Sequence, residues 1–263
     1  MDYPKITRLY KYSALTSYSI SALVTGKLWF PFPSTFNDPF DCSVINYPQD
    51  FFDKEERRAK RAIPAPTPLG AEDLTSGRLD SALRNIRRTF LASETRRNVS
   101  LADRFKQASG ATQAFLLGFG VLSLSETPRS ILMWSHYGAQ HSGICMKFKR
   151  IVDNKLGTEA KPVRYMGRRT ITNASNPMFE KYTGWQYERE WRLLERKGNQ
   201  LYDYPGDLLS VICGARMTLS EVDRVQKVVA TLNSSRTRRV LVKFALMHPS
   251  RYSIAIKSRR LDF

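Results

Sequence analysis

The sequence predicts an α+β fold, and three observations support this class. Leu9–Tyr12 has the composition of a short strand, and the apolar residues after it recur at helical spacing up to Gly26, a residue type that often ends helices. Strand candidates dominate from Val121 onward, with further examples at Gly143–Phe148 and Lys161–Tyr165. The C-terminal part then combines one helix with two apolar strands. Helices and strands in this mixed order are typical of an α+β protein.

The C-terminal helix has a clear start signal. Thr218 and Glu221 stand three residues apart, as in a capping box, and the following residues form an apolar helical face of Val222, Val225, Val228, Val229 and Leu232. Val240–Leu246 and Tyr252–Ile256 are typical of core strands. We therefore expect this helix to pack on the sheet.

The middle of the chain differs from both ends. Residues 54–70 combine a charge run with three prolines, which predicts a connection without regular structure. Helical stripes follow at Leu79, Leu83, Ile86 and Phe90 and at Leu101, Phe105, Ala108 and Phe115. We interpret residues 71–118 as a helical insertion in one elaborated domain that spans residues 1–263.

The net charge of +18 predicts an anionic partner. Nucleic acid is the first candidate, ahead of an acidic antitoxin or another acidic partner protein, because a strong positive field attracts polyanions. The helical insertion carries a concentration of cations that we expect to contact nucleic acid: Arg84, Arg87, Arg88, Arg96 and Arg97. The alternative is that these arginines only solvate helices or meet an acidic protein.

Other features of the composition predict a cytoplasmic protein without a membrane partner. No apolar run is long enough to span a bilayer, and the N-terminal residues lack the apolar core of a signal peptide. The three cysteines, Cys42, Cys145 and Cys213, are far apart and have no metal-ligand spacing. We expect them to be small buried side chains, and we predict no metal.

The segment Trp185–Arg192 carries the most informative pattern, the two glutamates Glu188 and Glu190. In a strand, this spacing places both carboxylates on one face, with Arg189 on the other. Enzymes use such a pair to hold a ribose hydroxyl and to stabilise a cationic sugar transition state. The alternative is an edge strand whose glutamates form ordinary ion pairs.

The chain also resembles a bacterial family known as domain of unknown function family 2971. The resemblance rests on ordered blocks outside residues 50–120: Leu9–Tyr12, Leu28–Phe30 with Phe36–Asp41, Val121–Ser125, Met133–Cys145, and Lys181 leading into the Glu-x-Glu segment. The family name implies no activity.

The order of these blocks resembles the ADP-ribosyltransferase superfamily. That resemblance implies a split antiparallel sheet, here with a helical insertion, and NAD as substrate. It further implies three motifs on separate strands. Here the first is Lys11 or Tyr12, the second is Ser123 with Ser125 or Tyr137, and the third is Glu190. The first motif departs from the usual His or Arg.

We expect Glu190 to stabilise the positive charge that develops on the ribose when the nicotinamide–ribose bond breaks. Glu188 is expected to act as a general base on the acceptor. Aromatic walls formed by Trp134, Tyr137 and Trp185 would enclose the nicotinamide. The acceptor is a macromolecule, with nucleic acid favoured. Such an activity suits a bacterial toxin or a phage-defence effector.

Two alternatives to this enzyme stay open. One is a non-catalytic module that binds nucleic acid or a partner. The other is a metal-dependent nuclease that uses Asp38, Asp41 and Glu190, although Asn37 and Asp38 first indicate a turn in which side chains bond the backbone. Of the paired histidines His136 and His141, we expect one to be structural and the other to line the pocket.

Overall fold

The computed structural model describes residues 6–43, 110, 112–169 and 176–258. Its strands, in chain order, are β1 (Arg8–Ser13), β2 (Lys27–Phe30), β3 (Gly120–Ser125), β4 (Ile144–Lys149), β5 (Lys161–Pro162), β6 (Arg164–Met166), β7 (Glu180–Tyr182), β8 (Glu190–Glu195), β9 (Gln200–Asp203), β10 (Leu208–Cys213), β11 (Leu241–Met247) and β12 (Ile254–Lys257). The α-helices with described ends are α1 (Ser17–Thr25), α2 (Ile131–His136), α3 (Lys155–Thr158) and α4 (Leu219–Ser234). Residues 112–117 are also helical, and 3₁₀ helices span Pro33–Thr35, Pro177–Phe179 and Thr183–Glu188.

Eight of these strands form one large sheet in the order β12-β11-β10-β4-β1-β3-β8-β5. All neighbours are antiparallel except β10 and β11, which are parallel. Helix α4 connects these two strands, and such a crossover returns the chain in the same direction. The α+β class is therefore confirmed, and the large sheet is mostly antiparallel, as expected, with one parallel pair.

The two faces of the large sheet have different coverings. The larger core lies on the first face, where Leu9, Met146 and Val211 pack with residues of α1 and α4. The second face carries a smaller cluster in which Tyr12, Cys145 and other strand residues pack against Met133 and Trp134 of α2. The alternation of side chains along each strand separates these two sets. The candidate site lies on the second face.

The signals at the ends of two helices are confirmed. Gly26 ends α1 with φ 69°, a left-handed conformation that glycine adopts without steric cost. Thr218 and Glu221 form both hydrogen bonds of the capping box at the start of α4. The buried face of α4 consists of Val222, Val225 and Val229. This helix therefore packs as its pattern predicts.

Other predictions are modified or fall outside the described residues. The predicted strand Lys161–Tyr165 is two short strands, β5 in the large sheet and β6 paired with β7. The connection at 54–70 and most of the helical insertion, residues 71–109 and 111, lie outside the described part of the chain. Within the described residues, no helix has the length and apolar character needed to cross a bilayer.

Candidate functional site

The Glu-x-Glu segment is not one strand, so the predicted reason for its geometry is wrong. Thr183–Glu188 is a 3₁₀ helix, and Arg189 follows with φ 44° and ψ 54° before β8 begins at Glu190. Arg189 therefore adopts the left-handed α conformation, which is uncommon for residues other than glycine and which separates the 3₁₀ helix from the strand. The two carboxylates nevertheless approach the same group, because Lys181 Nζ lies 2.6 Å from Glu188 Oε2 and 3.2 Å from Glu190 Oε2.

Two further side chains complete a buried cluster around these groups. The guanidinium of Arg192 binds Glu190 through Nε to Oε1 at 2.8 Å and through Nη2 to Oε2 at 2.9 Å. Its Nη2 also donates to Asp41 Oδ2 at 2.7 Å, and Lys181 Nζ lies 3.4 Å from the same oxygen. All of these residues are buried. We call the set Asp41, Lys181, Glu188, Glu190 and Arg192 the ion network.

The strands and loops that bring the ion network together are distant in sequence. Arg192 lies on the same face of β8 as Glu190 because the two are separated by one residue. Lys181 comes from β7, and Asp41 comes from the loop after the first 3₁₀ helix. Arg192 Nη1 donates to the carbonyl of Met178 and contacts Cys42 Sγ, so the guanidinium is held on every side.

The pKa values of the two glutamates shift in opposite directions. Burial raises the pKa of Glu190, but Arg192 and Lys181 outweigh burial and hold it at about 2. Burial raises the pKa of Glu188 above its ordinary value, with Lys181 opposing and Glu190 adding to the increase. The network contains three carboxylates and two cations, so it has one excess negative charge when all groups are ionised. A proton on Glu188 neutralises it.

Glu188 is the carboxylate of the ion network that also binds a tyrosine. Its Oε1 accepts a hydrogen bond from the hydroxyl of Tyr137 at 2.7 Å, and Tyr137 is half-buried. Burial, followed by the hydrogen bond to Glu188, raises the pKa of Tyr137. On the other side, the backbone N–H of Glu190 donates to the hydroxyl of Tyr165 at 2.7 Å. Glu188 therefore connects the buried cation Lys181 to the half-buried Tyr137.

Aromatic side chains form a rim beside Glu188. The rings of Trp185 and Tyr187 have centroids 6.1 Å apart, and His136 lies 6.1 Å from Tyr187 on its other side. Lys181 Nζ lies 5.2 Å from the centroid of the Trp185 ring, a cation–π distance. His136 is exposed, whereas Trp185 and Tyr187 are half-buried. Planar ligands can stack on such a rim.

The predicted residues Ser123 and Ser125 lie on β3, beside β8. Ser125 pairs with Glu190 and Ser123 pairs with Arg192 across the two strands. A hydrogen bond from Ser123 helps to lower the pKa of Glu190. The hydroxyl of Ser125 is buried and donates to the carbonyl of Glu188 at 2.6 Å. Ser125 therefore fixes the backbone at Glu188 instead of facing a ligand.

Trp134 and Tyr12 do not reach the surface of the site. Trp134 is fully buried, and its indole N–H donates to the carbonyl of Pro128 at 2.8 Å. This position does not suit the predicted contact with nicotinamide. Tyr12 is buried against Trp134, and its hydroxyl donates to the carbonyl of Thr127 at 2.8 Å. Both residues belong to the packing under α2.

Lys11 lies on the opposite face of β1 from Tyr12, as alternation requires. Burial lowers its pKa, and the charge of Glu190 partly opposes that shift. Its ammonium thus interacts electrostatically with the ion network, but Lys181 makes the direct contacts.

The two aspartates of the turn before Cys42 have different roles. Asp38 Oδ1 accepts from the backbone N–H of Phe40 at 2.8 Å, which confirms the predicted turn chemistry, and Asn37 is exposed. Asp41 departs from that prediction, because its carboxylate belongs to the ion network. Among the residues that the structure describes, no group of three His, Cys, Asp or Glu side chains could hold a metal ion.

The predictions for the histidines and cysteines can be compared with the structure, whereas those for the insertion arginines cannot. His141 Nε2 lies 3.1 Å from Ser135 Oγ and its ring stacks on Trp134, so it takes the structural role, whereas His136 lies on the rim. The three cysteines are free and buried, as predicted. The insertion arginines Arg84, Arg87, Arg88, Arg96 and Arg97 lie outside the described residues.

A separate cavity of about 570 Å³ lies away from the ion network, next to α3 and β9. Its lining includes Asn154, Tyr204 and Arg236. It contains none of the predicted site residues, so it does not extend the candidate site.

Comparisons with protein-family models, with curated proteins and with solved structures found no match to this chain. The resemblance to domain of unknown function family 2971 stays a prediction.

Proposed function

We propose that this chain cleaves the nicotinamide–ribose bond of NAD and transfers ADP-ribose to a macromolecule, with nucleic acid as the favoured acceptor. The observation that carries the proposal is the pair of buried glutamates with opposite pKa shifts that share the ammonium of Lys181. Neighbouring carboxylates whose pKa values are separated by their surroundings take different roles in acid–base chemistry.

In this mechanism Glu190 stays ionised and Glu188 moves a proton. The acceptor hydroxyl attacks the anomeric carbon of the ribose, and the electron pair of the breaking bond leaves with neutral nicotinamide. The acceptor proton passes to the carboxylate of Glu188, whose raised pKa makes it a stronger base than an ordinary carboxylate. Until Glu188 accepts that proton, the excess negative charge of the ion network stabilises the cationic ribose more in the transition state than in the ground state.

The surroundings of Glu188 fit a planar leaving group. The rim of His136, Trp185 and Tyr187 offers ring faces beside the carboxylate. Tyr137 holds one oxygen of Glu188 and Lys181 holds the other, so the position of the carboxylate beside this rim is fixed. Water excluded by stacked rings would otherwise hydrolyse the activated ribose.

The sheet also supports the proposal. The register of β1 and β3 contains one pair, Tyr10 with Ser125, whereas β3 and β8 pair over six positions. The contact between β1 and β3 is therefore the narrowest of those around the ion network, although the sheet is continuous across it. A split sheet is what the resemblance to ADP-ribosyltransferases implies.

A second candidate function has its own supporting observation. Arg192 occupies both oxygens of Glu190, a bidentate geometry that is also expected of a purely structural ion pair. In this alternative the chain is a non-catalytic binding module, and the ion network only joins Asp41 and β7 to the sheet.

The two candidates differ in the release of nicotinamide. The protein is incubated with millimolar NAD, first alone and then with RNA or DNA, and free nicotinamide is measured by chromatography. We expect release by the parent protein and a loss of roughly 10²–10⁴-fold in Glu188→Gln, the usual contribution of a general base. The amide oxygen of the variant still accepts the hydrogen bond from Tyr137.

Glu195→Gln is the matched control, because Glu195 lies on β8 and pairs with a half-exposed lysine away from the ion network. Its nicotinamide release should equal that of the parent. An absence of nicotinamide release with every acceptor would contradict NAD cleavage. Full activity in a folded Glu188→Gln protein would show that Glu188 is not the general base.

A further inference from the structure

The second face of the large sheet carries a group of basic side chains to which neither the sequence nor the proposed function assigns a role. Four of them lie on three strands: Arg8 on β1, Lys147 and Lys149 on β4, and Lys243 on β11. Arg129, in the loop after β3, is exposed and lies close enough to Tyr10 and Lys147 to affect their pKa values. We call the set Arg8, Arg129, Lys147, Lys149 and Lys243 the basic patch.

The basic patch lacks counter-ions within the described part of the chain. None of its members forms an ion pair there, although Lys27, Lys155 and Lys227 elsewhere each contact a carboxylate. Burial and then the charges of Arg8, Lys243 and Arg129 lower the pKa of Lys147. Like charges held this close repel one another, and a bound anion would relieve that repulsion.

The position of the basic patch follows from the strand register. Lys149 pairs with Arg8 and Lys147 pairs with Tyr10, between β4 and β1. Alternation therefore places Arg8, Tyr10 and Lys147 on one face, the face that also carries Tyr12 and Cys145. Lys243 joins the same face through its pairing with Ile212 on β10.

This face also connects the basic patch to the ion network. Tyr10 pairs with Ser125 on β3, and Ser125 pairs with Glu190 on β8. Neighbouring strands are about 4.8 Å apart, so Lys147 and Glu190, three strand steps apart, are separated by roughly 14 Å at the backbone. An extended ligand on the basic patch therefore reaches the candidate site.

We propose that the basic patch binds the phosphate backbone of a single-stranded nucleic acid and directs it towards Glu188. Arg8 and Lys149 face each other at the strand spacing of about 4.8 Å, whereas Lys243 lies two strand steps, about 10 Å, from β4 because β10 stands between them. A flexible single strand can adapt its successive phosphates to these separations. An anionic membrane is the competing ligand class, and the vesicle measurement below tests it. Binding stands independently, whereas delivery to Glu188 rests on the proposed function.

The test compares two triple variants with equal loss of charge. The first replaces Arg8, Lys147 and Lys243 of the basic patch with Gln. The control replaces Arg224, Arg238 and Arg239, which are exposed on or after α4, with Gln. None of the three belongs to the basic patch, and Arg224 lies on α4, which packs on the first face of the sheet. The control therefore removes the same charge from other positions on the protein.

Binding is measured by fluorescence anisotropy with a labelled 20-nucleotide oligouridylate and a matching oligothymidylate over a range of salt concentrations. For the basic-patch variant we expect at least tenfold weaker binding near 0.1 M salt. The slope of log affinity against log salt should be smaller by about 2 units, since each lost phosphate contact removes about 0.7 for a single strand. The control should retain most of the parent slope.

Folding is checked by circular dichroism and thermal unfolding, and the single variant Arg8→Gln gives a second measurement at an exposed position. Its slope should fall by about 0.7. Equal slopes for the two triple variants would overturn the assignment. So would binding of the parent to phosphatidylserine vesicles but to neither oligonucleotide.

The enzymatic proposal can fail without affecting this test. The basic-patch variant should keep the parent rate of nicotinamide release from NAD without acceptor, and Glu188→Gln should keep the parent affinity for oligonucleotides. Normal oligonucleotide binding without nicotinamide release would contradict only the proposed enzyme.

Discussion

Glu190 illustrates how one residue can be important for both stability and chemistry. Its carboxylate is buried, and it compensates the buried charges of Arg192 and Lys181. Removing one partner of a buried ion pair leaves an uncompensated charge, which typically costs about 3–5 kcal/mol. A substitution at Glu190 therefore affects the fold as well as any activity, so Glu188 is the better position for testing catalysis.

We expect Glu190→Gln to lower the free energy of unfolding by about 3–5 kcal/mol at neutral pH. Because the folded-state pKa of Glu190 is depressed to about 2, its contribution in the parent is present above the ordinary value of 4.5 and is lost as the pH falls towards 2. The raised pKa of Glu188 has the opposite sign, since its contribution is full below 4.5 and is lost as the pH rises. Denaturant unfolding between pH 2 and pH 7 measures both windows.

Glu195→Gln is again the control for this stability measurement. Its ion pair with Lys155 is partly solvated, so the substitution should cost less than about 1 kcal/mol. Equal costs at Glu190 and Glu195, or an unchanged loss of stability below pH 4.5 in Glu190→Gln, would show that the ion network does not stabilise the fold as a buried cluster.

At the level of secondary-structure elements, the most accurate predictions were those based on signals within a few residues of a helix end. Gly26 and the Thr218 capping box mark real helix ends because each acts through hydrogen bonds or dihedral angles within a few residues. The strand β10 was not predicted, although its apolar run is bounded by Gly206 and Gly214. Its parallel pairing with β11 depends on the crossover of α4, which is a tertiary property.

In the candidate site, too, contacts between residues close in sequence could be predicted, whereas contacts between distant residues could not. The same-face position of Glu190 and Arg192 follows from the alternation of a strand, but the binding of Asp41 to Arg192 spans 151 positions in sequence. No local pattern contains that pairing. The sequence also did not predict that the strand begins only after Arg189. A left-handed arginine is uncommon, and no glycine stands at this position to indicate one.

The conformation of Arg189 leads to a prediction about the whole Glu-x-Glu segment. Glycine adopts φ 44° freely, whereas a β-branched residue at positive φ is strongly disfavoured. We expect Arg189→Val to cost about 1–3 kcal/mol and to displace Glu188 from Lys181, which lowers nicotinamide release. Arg189→Gly should retain the parent stability to within about 1 kcal/mol.

This pair of variants is matched, since both remove the same exposed charge. Thermal unfolding and the nicotinamide assay are measured for each protein. If Val and Gly at this position behave alike, the left-handed turn is not what places Glu188 beside Glu190.

At the scale of the whole molecule, the net charge of +18 acts on folding as well as on binding. A compact state with an excess of one sign of charge is destabilised by self-repulsion. The basic patch concentrates that effect, because Lys147 is held close to other cations. The ion network is buried and is therefore screened much less by salt than the surface charges are. Because salt screens the repulsion among surface cations more than the attraction within the buried ion network, the stability of the protein should depend on ionic strength.

We expect the melting temperature to rise by a few degrees between about 0.02 M and 0.3 M sodium chloride, because the screening length falls below about 10 Å over this range. A gain of about 1 kcal/mol corresponds to roughly 2–4 °C for a chain of this size class. The basic-patch triple variant, with a net charge of 18 − 3 = +15, should melt higher than the parent at low salt and respond less to added salt. Differential scanning calorimetry without nucleic acid measures both curves. A melting temperature that falls with salt in the parent would mean that attractive surface pairs such as Lys155–Glu195 outweigh the repulsion among the cations.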